Sequence, residues 1–308
     1  MSRTRQFFCF NHQGKADAYI RALEARGWKQ STSIALARFV LADADVRGRQ
    51  RQLAEAARRR KRIFLYPHAA RPNIFWDFPG TSYSSFVTAH FVVSEGHIQI
   101  MKAYGNPYPL HAVGWHLCPI LPFRARREIR NVLFGPIHPN SNGFLCRLDR
   151  QLNREAFERV RSLMMENVTL TVRHLHDIKT NGLWRAGGVT YVEGSRDQSY
   201  AEIDQADLVV SHQTFAHLAV ARGVPTLMMG EWHPPRWGGS EEALQMVRSW
   251  DRYRDLLAYP LDILAEEDTQ ALATRATRCD EEISDWRERL IGTPFDGEKF
   301  VDIVESYL

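Results

Sequence analysis

The sequence lacks the patterns that identify several large classes of protein. Its four cysteines are too scattered for a zinc site, which indicates reduced and mostly buried thiols. It contains neither the GxGxxG motif of dehydrogenases nor the Walker motif of P-loop ATPases, which argues against both. No apolar run approaches the roughly 20 residues that cross a bilayer, and the N-terminal run is too short for a signal peptide. We therefore expect a cytoplasmic protein without a transmembrane segment.

The sequence also has little excess charge, only +4 over 308 residues, which neither requires nor excludes a polyanionic partner. The positive charge is concentrated in two stretches, RGRQRQLAEAARRRKR at 47–62 and FRARREIR at 123–130. Such runs are most often solvated faces or linkers. The alternative is an anionic partner such as nucleic acid or a phosphorylated surface, and the sequence leaves both open.

Strand-like and helix-like segments alternate along the chain in two successive series. In the first series, strands are predicted at 5–10, 33–43, 62–68, 89–97 and 110–115, with helices at 15–27, 47–60 and 98–105. In the second, strands are predicted at 131–139, 168–175, 188–195, 207–212 and 225–230, with helices at 153–167, 200–206 and 214–223. Asn153 is expected to cap the first of these helices. This alternation is typical of βαβ units and parallel sheets.

The two series predict an α/β protein with two Rossmann-like domains that face a cleft. The Pro- and Arg-rich segment at 117–130 is the candidate linker. We therefore place an N-terminal domain at 1–122 and a C-terminal domain at 123–308, the latter ending in a helical tail.

The segment DLVVSHQTFAHLAVARGVPTLMMG (207–230) sets a polar group between two apolar runs. A strand should end and a helix should begin at SHQT, where ligands bind in open parallel sheets. Unpaired amides at a helix start attract phosphate. Ser211 or Thr214 could cap the helix, while His212 and Gln213 would project toward a ligand. The alternative is that these side chains only cap a buried helix.

This stretch, preceded by YVEGSRDQSYAEIDQA, resembles the nucleotide-sugar half of the GT-B glycosyltransferase superfamily, which includes UDP-GlcNAc 2-epimerases and CDP-glycerol polymer transferases. The resemblance covers about residues 131–230 and rests on layout alone over 1–125. It implies that the loop and helix at 211–215 cradle the donor diphosphate. It also implies that loop 135–143 faces the same phosphates and that loop 230–237 approaches the donor sugar.

The donor-binding residues expected from this reading share a place at strand ends or at helix starts in the second domain. They are His138, Ser141, Asn142, Gly143, Glu193, Ser195, Arg196, His212, Gln213, Thr214, Phe215 and Glu231. Many GT-B proteins carry a ribose-binding Glu where this chain has Leu218. Glu193 or Glu202 could substitute. The resemblance implies a UDP-linked donor, while the residues themselves leave the nucleotide open.

Glycosyl transfer needs a stabilised leaving diphosphate, a base for the acceptor if the reaction inverts, and exclusion of water. The base should come from the first domain, where His68, Asp77 and Glu95 are the candidates we retain from a set that also holds His12 and His97. The aromatic segment IFWDFPGTSYSSF (74–86) is either a packed loop or a wall for the acceptor.

The leading hypothesis is thus a glycosyltransferase that needs no cofactor and no catalytic metal, since we identify no convincing Asp-x-Asp pair. A nucleotide-sugar epimerase of the same fold is the first alternative, but the expected His-Arg pair reads His138-Pro139 here. A non-catalytic GT-B-like binding module is the second. The acceptor could be a polysaccharide, a lipid-linked glycan, a small metabolite or a modified DNA base.

Overall fold

The computed structural model describes residues 5–11, 14–43, 50–67, 86–103, 108–137, 143–163, 167–174, 178–193, 198–229, 259–264 and 268–308. The chain forms two compact units. The first comprises residues 1–119 and 288–308, and the second comprises residues 120–287.

The first unit contains a parallel sheet of six strands in the order β2-β1-β3-β4-β5-β6. The strands are β1 (Gln6–Phe10), β2 (Lys29–Gln30), β3 (Phe39–Asp43), β4 (Arg62–Tyr66), β5 (Ala89–Val92) and β6 (Leu110–Ala112). Helices α1 (Asp17–Ala25), α2 (Gln50–Arg58) and α3 (Glu95–Ala103) lie between them in the chain.

The uninterrupted apolar runs of β3 and β4 reflect burial on both faces of this sheet. Along β3, Phe39 and Leu41 enter one core cluster with α1, whereas Val40 and Ala42 enter a second cluster with α2. A parallel strand that is covered on both sides has no polar face to show, so its sequence does not alternate.

The second unit contains a parallel sheet of five strands in the order β11-β10-β7-β8-β9. Its strands are β7 (Asn131–Phe134), β8 (Thr169–His174), β9 (Val189–Glu193), β10 (Leu208–Ser211) and β11 (Thr226–Met228). Its helices are α4 (Gly143–Arg161), α5 (Ser199–Gln205), α6 (Gln213–Ala221) and α7 (Thr269–Arg278). Helix α8 (Glu281–Leu290) crosses the boundary between the units, and α9 (Gly297–Ser306) ends the chain.

The structure divides the chain differently from the sequence-based boundary at its C-terminal end. The break at 119/120 lies close to the expected one, but residues 288–308 belong to the first unit rather than to the second. Helix α9 buries Phe300, Val301 and Val304 in the core cluster that contains Tyr19 and Leu23 of α1. This apolar face explains why the last helix joins the first unit.

Several predicted element boundaries were wrong: the strand expected at 33–43 covers only Phe39–Asp43, the strand expected at 131–139 ends at Phe134, and β2 was not predicted. Two further errors concern residues to which the sequence had given a role. The strand expected at 89–97 ends at Val92, because the hydroxyl of Ser94 accepts a hydrogen bond from the His97 amide at 3.4 Å and starts helix α3. The helix expected at 153–167 begins ten residues earlier, at Gly143, so Asn153 lies inside α4 and is not its N-cap. None of the described helices is long and apolar enough to cross a membrane.

Candidate functional site

The strand order of the second sheet locates a candidate ligand site. From β7 the chain proceeds outward through β8 and β9, and it then returns to the other side of β7 for β10 and β11. The order therefore reverses between β7 and β10. In open parallel sheets, ligands bind at such a switch point, beyond the carboxyl ends of the strands. Here those ends lead into Gly135 and His212, which the sequence had singled out.

Gly135 brings the chain after β7 into close contact with the end of β10. Its amide donates to Val210 O at 2.9 Å, and its carbonyl accepts from Ser211 Oγ at 2.8 Å. A Cβ at Gly135 would lie 2.6 Å from Ser211 Oγ and 3.2 Å from Phe215 Cδ1. Only glycine allows this approach, which sets the loop beside the first turn of α6.

Asn153, which is fully buried in the interior of α4, fixes the next part of this loop. Its Oδ1 accepts from the Ile137 amide at 2.7 Å, and its Nδ2 donates to Ile137 O and to Asn181 O, each at 2.9 Å. One side chain thus satisfies both backbone groups of the last described residue before His138. The structure anchors loop 135–143 at its start through a residue that the sequence had assigned to a different role.

Helix α6 begins at Gln213, with His212 as its N-cap in an extended conformation, φ −127° and ψ 148°. The His212 side chain makes no capping hydrogen bond, and the Ser211 hydroxyl binds Gly135 O instead of capping the helix. The expectation that Ser211 or Thr214 caps this helix was therefore wrong. The first turn of α6 therefore lies at the carboxyl ends of the strands and has no side-chain cap. Its unpaired amides carry a positive partial charge.

His212 is buried rather than projecting freely from the helix start. The residue is 8% exposed, and its Nδ1 lies 3.1 Å from Met229 O. Because a carbonyl oxygen can only accept, this contact places a proton on Nδ1. The Met229 amide in turn donates to Ser211 O at 3.0 Å. His212 therefore ties the end of β10 to the end of β11.

Sequence reasoning missed a buried cation at the same edge, Arg173 on β8. Its guanidinium is ion-paired with Glu202, donates to Ser199 Oγ at 2.8 Å, and stacks 5.0 Å from the centre of the Phe215 ring. Glu202, considered as a ribose ligand, is engaged in this pair. The only sequence signal was an arginine in the β-branched strand VTLTVRHL.

The ring of Phe215 is close to both Arg173 and Gly135, and it packs against the core cluster that contains Leu133. These contacts hold Phe215 and with it the first turn of α6. Glu193 ends β9 and is exposed, paired in register with His174 at the far edge of the sheet. Because β8 lies between β9 and β7 in the sheet, Glu193 is not next to Gly135 or His212.

The remaining predicted donor residues fall in two groups. Gly143 is the first residue of α4, while Gln213 and Thr214 occupy the first turn of α6. The others lie outside the described residues: His138, Ser141, Asn142, Ser195, Arg196 and Glu231.

The candidate bases belong to the first unit, and one of the three can be placed. Glu95 is exposed in the first turn of α3 and does not end a strand. His97, two residues further, is buried at 2% exposure. His12, His68 and Asp77 lie outside the described residues. In the part of the chain that the structure describes, no three His, Cys, Asp or Glu side chains cluster closely enough to hold a metal ion.

Of the comparisons with known proteins, only the one with solved structures found matches. No protein-family model matches the sequence. No curated protein matches it either. Among solved structures, the chain is similar to the glycosyltransferase SnogD from Streptomyces nogalater, with a TM-score of 0.50 and 12% identity over 98% of this chain and 100% of that one. The calicheamicin glycosyltransferase CalG4 gives a TM-score of 0.49 and 11% identity over 99% and 98% of the two chains. The chain therefore has a GT-B glycosyltransferase fold.

Proposed function

We propose that this protein is a glycosyltransferase that moves a sugar from a nucleotide-sugar donor, UDP-linked, to an acceptor hydroxyl without a catalytic metal ion. One observation carries the proposal: the start of α6, without a side-chain cap, lies at the switch point of the second sheet, next to the glycine-bearing end of β7. The GT-B fold supports the same reading.

The chemistry that this edge offers matches the demands of a leaving nucleoside diphosphate. Departure of the sugar leaves negative charge on the diphosphate oxygens, and fixed donors that already point there lower the barrier. The amides of Gln213, Thr214 and Phe215 form the first turn of α6 and are directed toward its N-terminal end. Each such helix-end interaction contributes roughly 0.3–1 kcal/mol at an exposed site and more where it is partly buried.

The surrounding contacts hold these amides in place before a donor arrives. The Arg173 guanidinium stacks on the Phe215 ring, and Gly135 also lies close to that ring. Asn153 holds the backbone of Ile137, from which loop 135–143 continues. A site assembled in advance loses little entropy when it binds its ligand. His138, Arg196 and the loop at 230–237 remain proposed contributors to the same site.

The base in this proposal comes from the first unit, with His68, Asp77 and Glu95 as candidates. Glu95 is the one that the structure describes, and it is exposed in the first turn of α3. An ionised carboxylate can accept the proton of an acceptor hydroxyl. The acceptor belongs to one of the hydroxyl-bearing classes already considered: polysaccharide, lipid-linked glycan, small metabolite or modified DNA base.

A donor panel tests the proposed activity. The purified protein is mixed with UDP-, dTDP-, GDP- and CMP-linked sugars with and without acceptors, and thermal shift, free nucleotide and sugar products are measured. We expect UDP-sugars to raise the melting temperature and to release UDP, with no change on adding EDTA.

Other outcomes of the panel would replace this function by another. Interconversion of the donor sugar without nucleotide release would identify an epimerase. A melting temperature that no nucleotide shifts, with no product formed, would identify a binding module and end the proposal of catalysis.

A further inference from the structure

A basic groove lies at the amino ends of the strands of the second sheet, whereas the candidate donor site lies at their carboxyl ends. Segment 125–130 leads into the amino end of β7, and Asn167 and Val168 lead into the amino end of β8. Together with one side of α7 they enclose a groove of about 1180 Å³. Because all strands of this sheet are parallel, their amino and carboxyl ends form two separate edges.

Arginines from two distant parts of the sequence converge on this groove. Arg126, Arg127 and Arg130 come from the segment before β7, and Arg278 comes from the end of α7. The backbone joins the two parts, because the Arg126 amide donates to Thr277 O at 3.0 Å. The run FRARREIR is therefore part of a formed surface and not a loose linker.

The groove keeps a surplus of positive charge after its ion pairs are counted. Glu128 is the one acidic residue among the described lining residues, and it pairs with Arg130 at 2.8 Å. Arg126 Nε lies 3.3 Å from Asp207 Oδ1. Among the described residues, Arg127 and Arg278 form no ion pair, and both are exposed. These two guanidinium groups are available to an incoming anion.

Helix α7 adds a polar stripe to the same groove. Gln270, Thr274 and Arg278 are spaced four residues apart, so they lie along one side of the helix. Gln270 and Arg278 present an amide and a guanidinium, which are side-chain types that contact phosphate oxygens in nucleic-acid complexes, whereas the Thr274 hydroxyl donates to Gln270 O at 2.9 Å. Donors spread along a helix suit an extended anion better than a single phosphate group.

We propose that this groove binds the phosphate backbone of double-stranded nucleic acid. None of the described lining residues is aromatic, whereas single-stranded nucleic acid is usually held by base stacking on aromatic rings. The large apolar side chains exposed in the described chain, Leu36 and Trp184, do not line the groove, so it lacks the side chains that insert into a lipid surface. Binding here is independent of the proposed donor site at the other edge.

Binding of a fluorescently labelled 20-base-pair DNA duplex of mixed sequence tests this inference, measured by anisotropy on the full chain between 50 and 200 mM KCl. If Arg127 and Arg278 each neutralise one phosphate, the logarithm of the affinity should fall with the logarithm of salt with a slope of about −1.8 or steeper. The double variant Arg127→Gln/Arg278→Gln should weaken binding about tenfold or more at 50 mM KCl and make the slope shallower by about 1.8.

A charge-matched variant separates the groove from general basicity. Arg51→Gln/Arg58→Gln removes two exposed arginines from α2 in the first unit and should leave duplex affinity within about twofold. An equal loss in both double variants would overturn the assignment to the groove, as would an absence of duplex binding at 50 mM KCl. Competition by single-stranded DNA or by phosphatidylglycerol vesicles at lower concentrations than by duplex would overturn the choice of partner.

Discussion

Asn153 makes three hydrogen bonds to backbone groups although it occupies the interior of helix α4. Asparagine favours helix caps when only local sequence is considered, because its side chain competes for nearby backbone groups. In this fold its partners come from Ile137 and Asn181, which are distant in the sequence. The residue type correctly indicated a backbone-binding side chain, but its partners could only be identified once the sheet was assembled.

The partners of Ser211 and Arg173 at the candidate site also depend on how the strands assemble. The serine was expected to cap α6, yet the pairing of β10 with β7 sets its hydroxyl against Gly135 O. Arg173 pairs with Glu202 and stacks on Phe215, and these contacts join three separate elements. The sequence located the site at a strand end and helix start, but strand order decided which side chains meet there.

His90, on β5 of the first unit, gives a prediction about pH. It is 1% exposed, and burial, with a smaller effect from His97, lowers the pKa of its imidazole to about 3. Between pH 6.5 and 3 the unfolded chain binds a proton that native His90 does not, so its contribution to stability is complete above about pH 6.5 and is lost as pH falls. This one residue should contribute up to about 1.4 kcal/mol per pH unit to the fall in stability.

Urea unfolding at pH 7, 6 and 5 tests this, with His90→Gln compared with the unsubstituted protein. The variant starts from a lower free energy of unfolding, but its loss of free energy between pH 7 and pH 5 should be smaller, because the substituted side chain does not titrate. Parallel pH profiles for the two proteins would show that His90 is not neutral in the folded state.

At the scale of elements, the turn from α6 into β11 depends on Gly223. The residue has φ +72°, and a Cβ there would lie 2.1 Å from Pro122 O. Segment 121–124 runs alongside, with the Arg124 amide donating to Gly223 O at 2.8 Å. Gly27 follows α1 with a similar φ of +83°, but nothing lies within 4 Å of the position its Cβ would take. Alanine at position 27 would therefore cause backbone strain alone, whereas alanine at position 223 would cause backbone strain and steric overlap together.

Thermal or urea unfolding of Gly223→Ala and Gly27→Ala measures that difference. Gly27→Ala should lower the free energy of unfolding by about 1–2 kcal/mol, the cost of a left-handed conformation for alanine. Gly223→Ala should lose about 3 kcal/mol or more, because backbone must also move. Equal losses would mean that segment 121–124 does not pack against this turn.

Most elements were predictable from periodicity and turn residues, and the errors have local physical causes. The polar residues SEGH were assigned to the end of β5, but the Ser94 hydroxyl holds the amide of His97 and starts α3. Glu95 therefore moves from a strand end to the exposed side of a helix turn. A serine followed by a helix-forming segment is a cap signal, and the apolar run before it concealed that signal.

At the scale of the whole molecule, the chain begins and ends in the same unit. Its last helix, α9, fills part of the core around Tyr19 and Phe91. From the sequence, this helix was expected in a C-terminal tail of the second domain. The second unit carries a helix start without a side-chain cap at the carboxyl edge of its sheet and an arginine groove at the amino edge. We propose that the first of these sites binds the nucleotide donor and that the second binds a polyanion.

The central claim is that backbone amides at the start of α6 hold the donor diphosphate, and substitution of Gln213 tests it directly. Gln213 is the first residue of the helix and follows His212 in extended conformation, so proline fits this position and removes one amide N–H without breaking the helix. Gln213→Ala loses the same side chain but keeps the amide.

The measurement is the affinity of the two variants for UDP, determined by isothermal titration calorimetry, with uridine as the phosphate-free comparison. Loss of one charge-assisted hydrogen bond, about 1.5–3 kcal/mol, should make Gln213→Pro bind UDP roughly 10-fold to 100-fold more weakly than Gln213→Ala, while uridine binding is the same for both. Equal UDP affinities for the two folded variants would contradict the account.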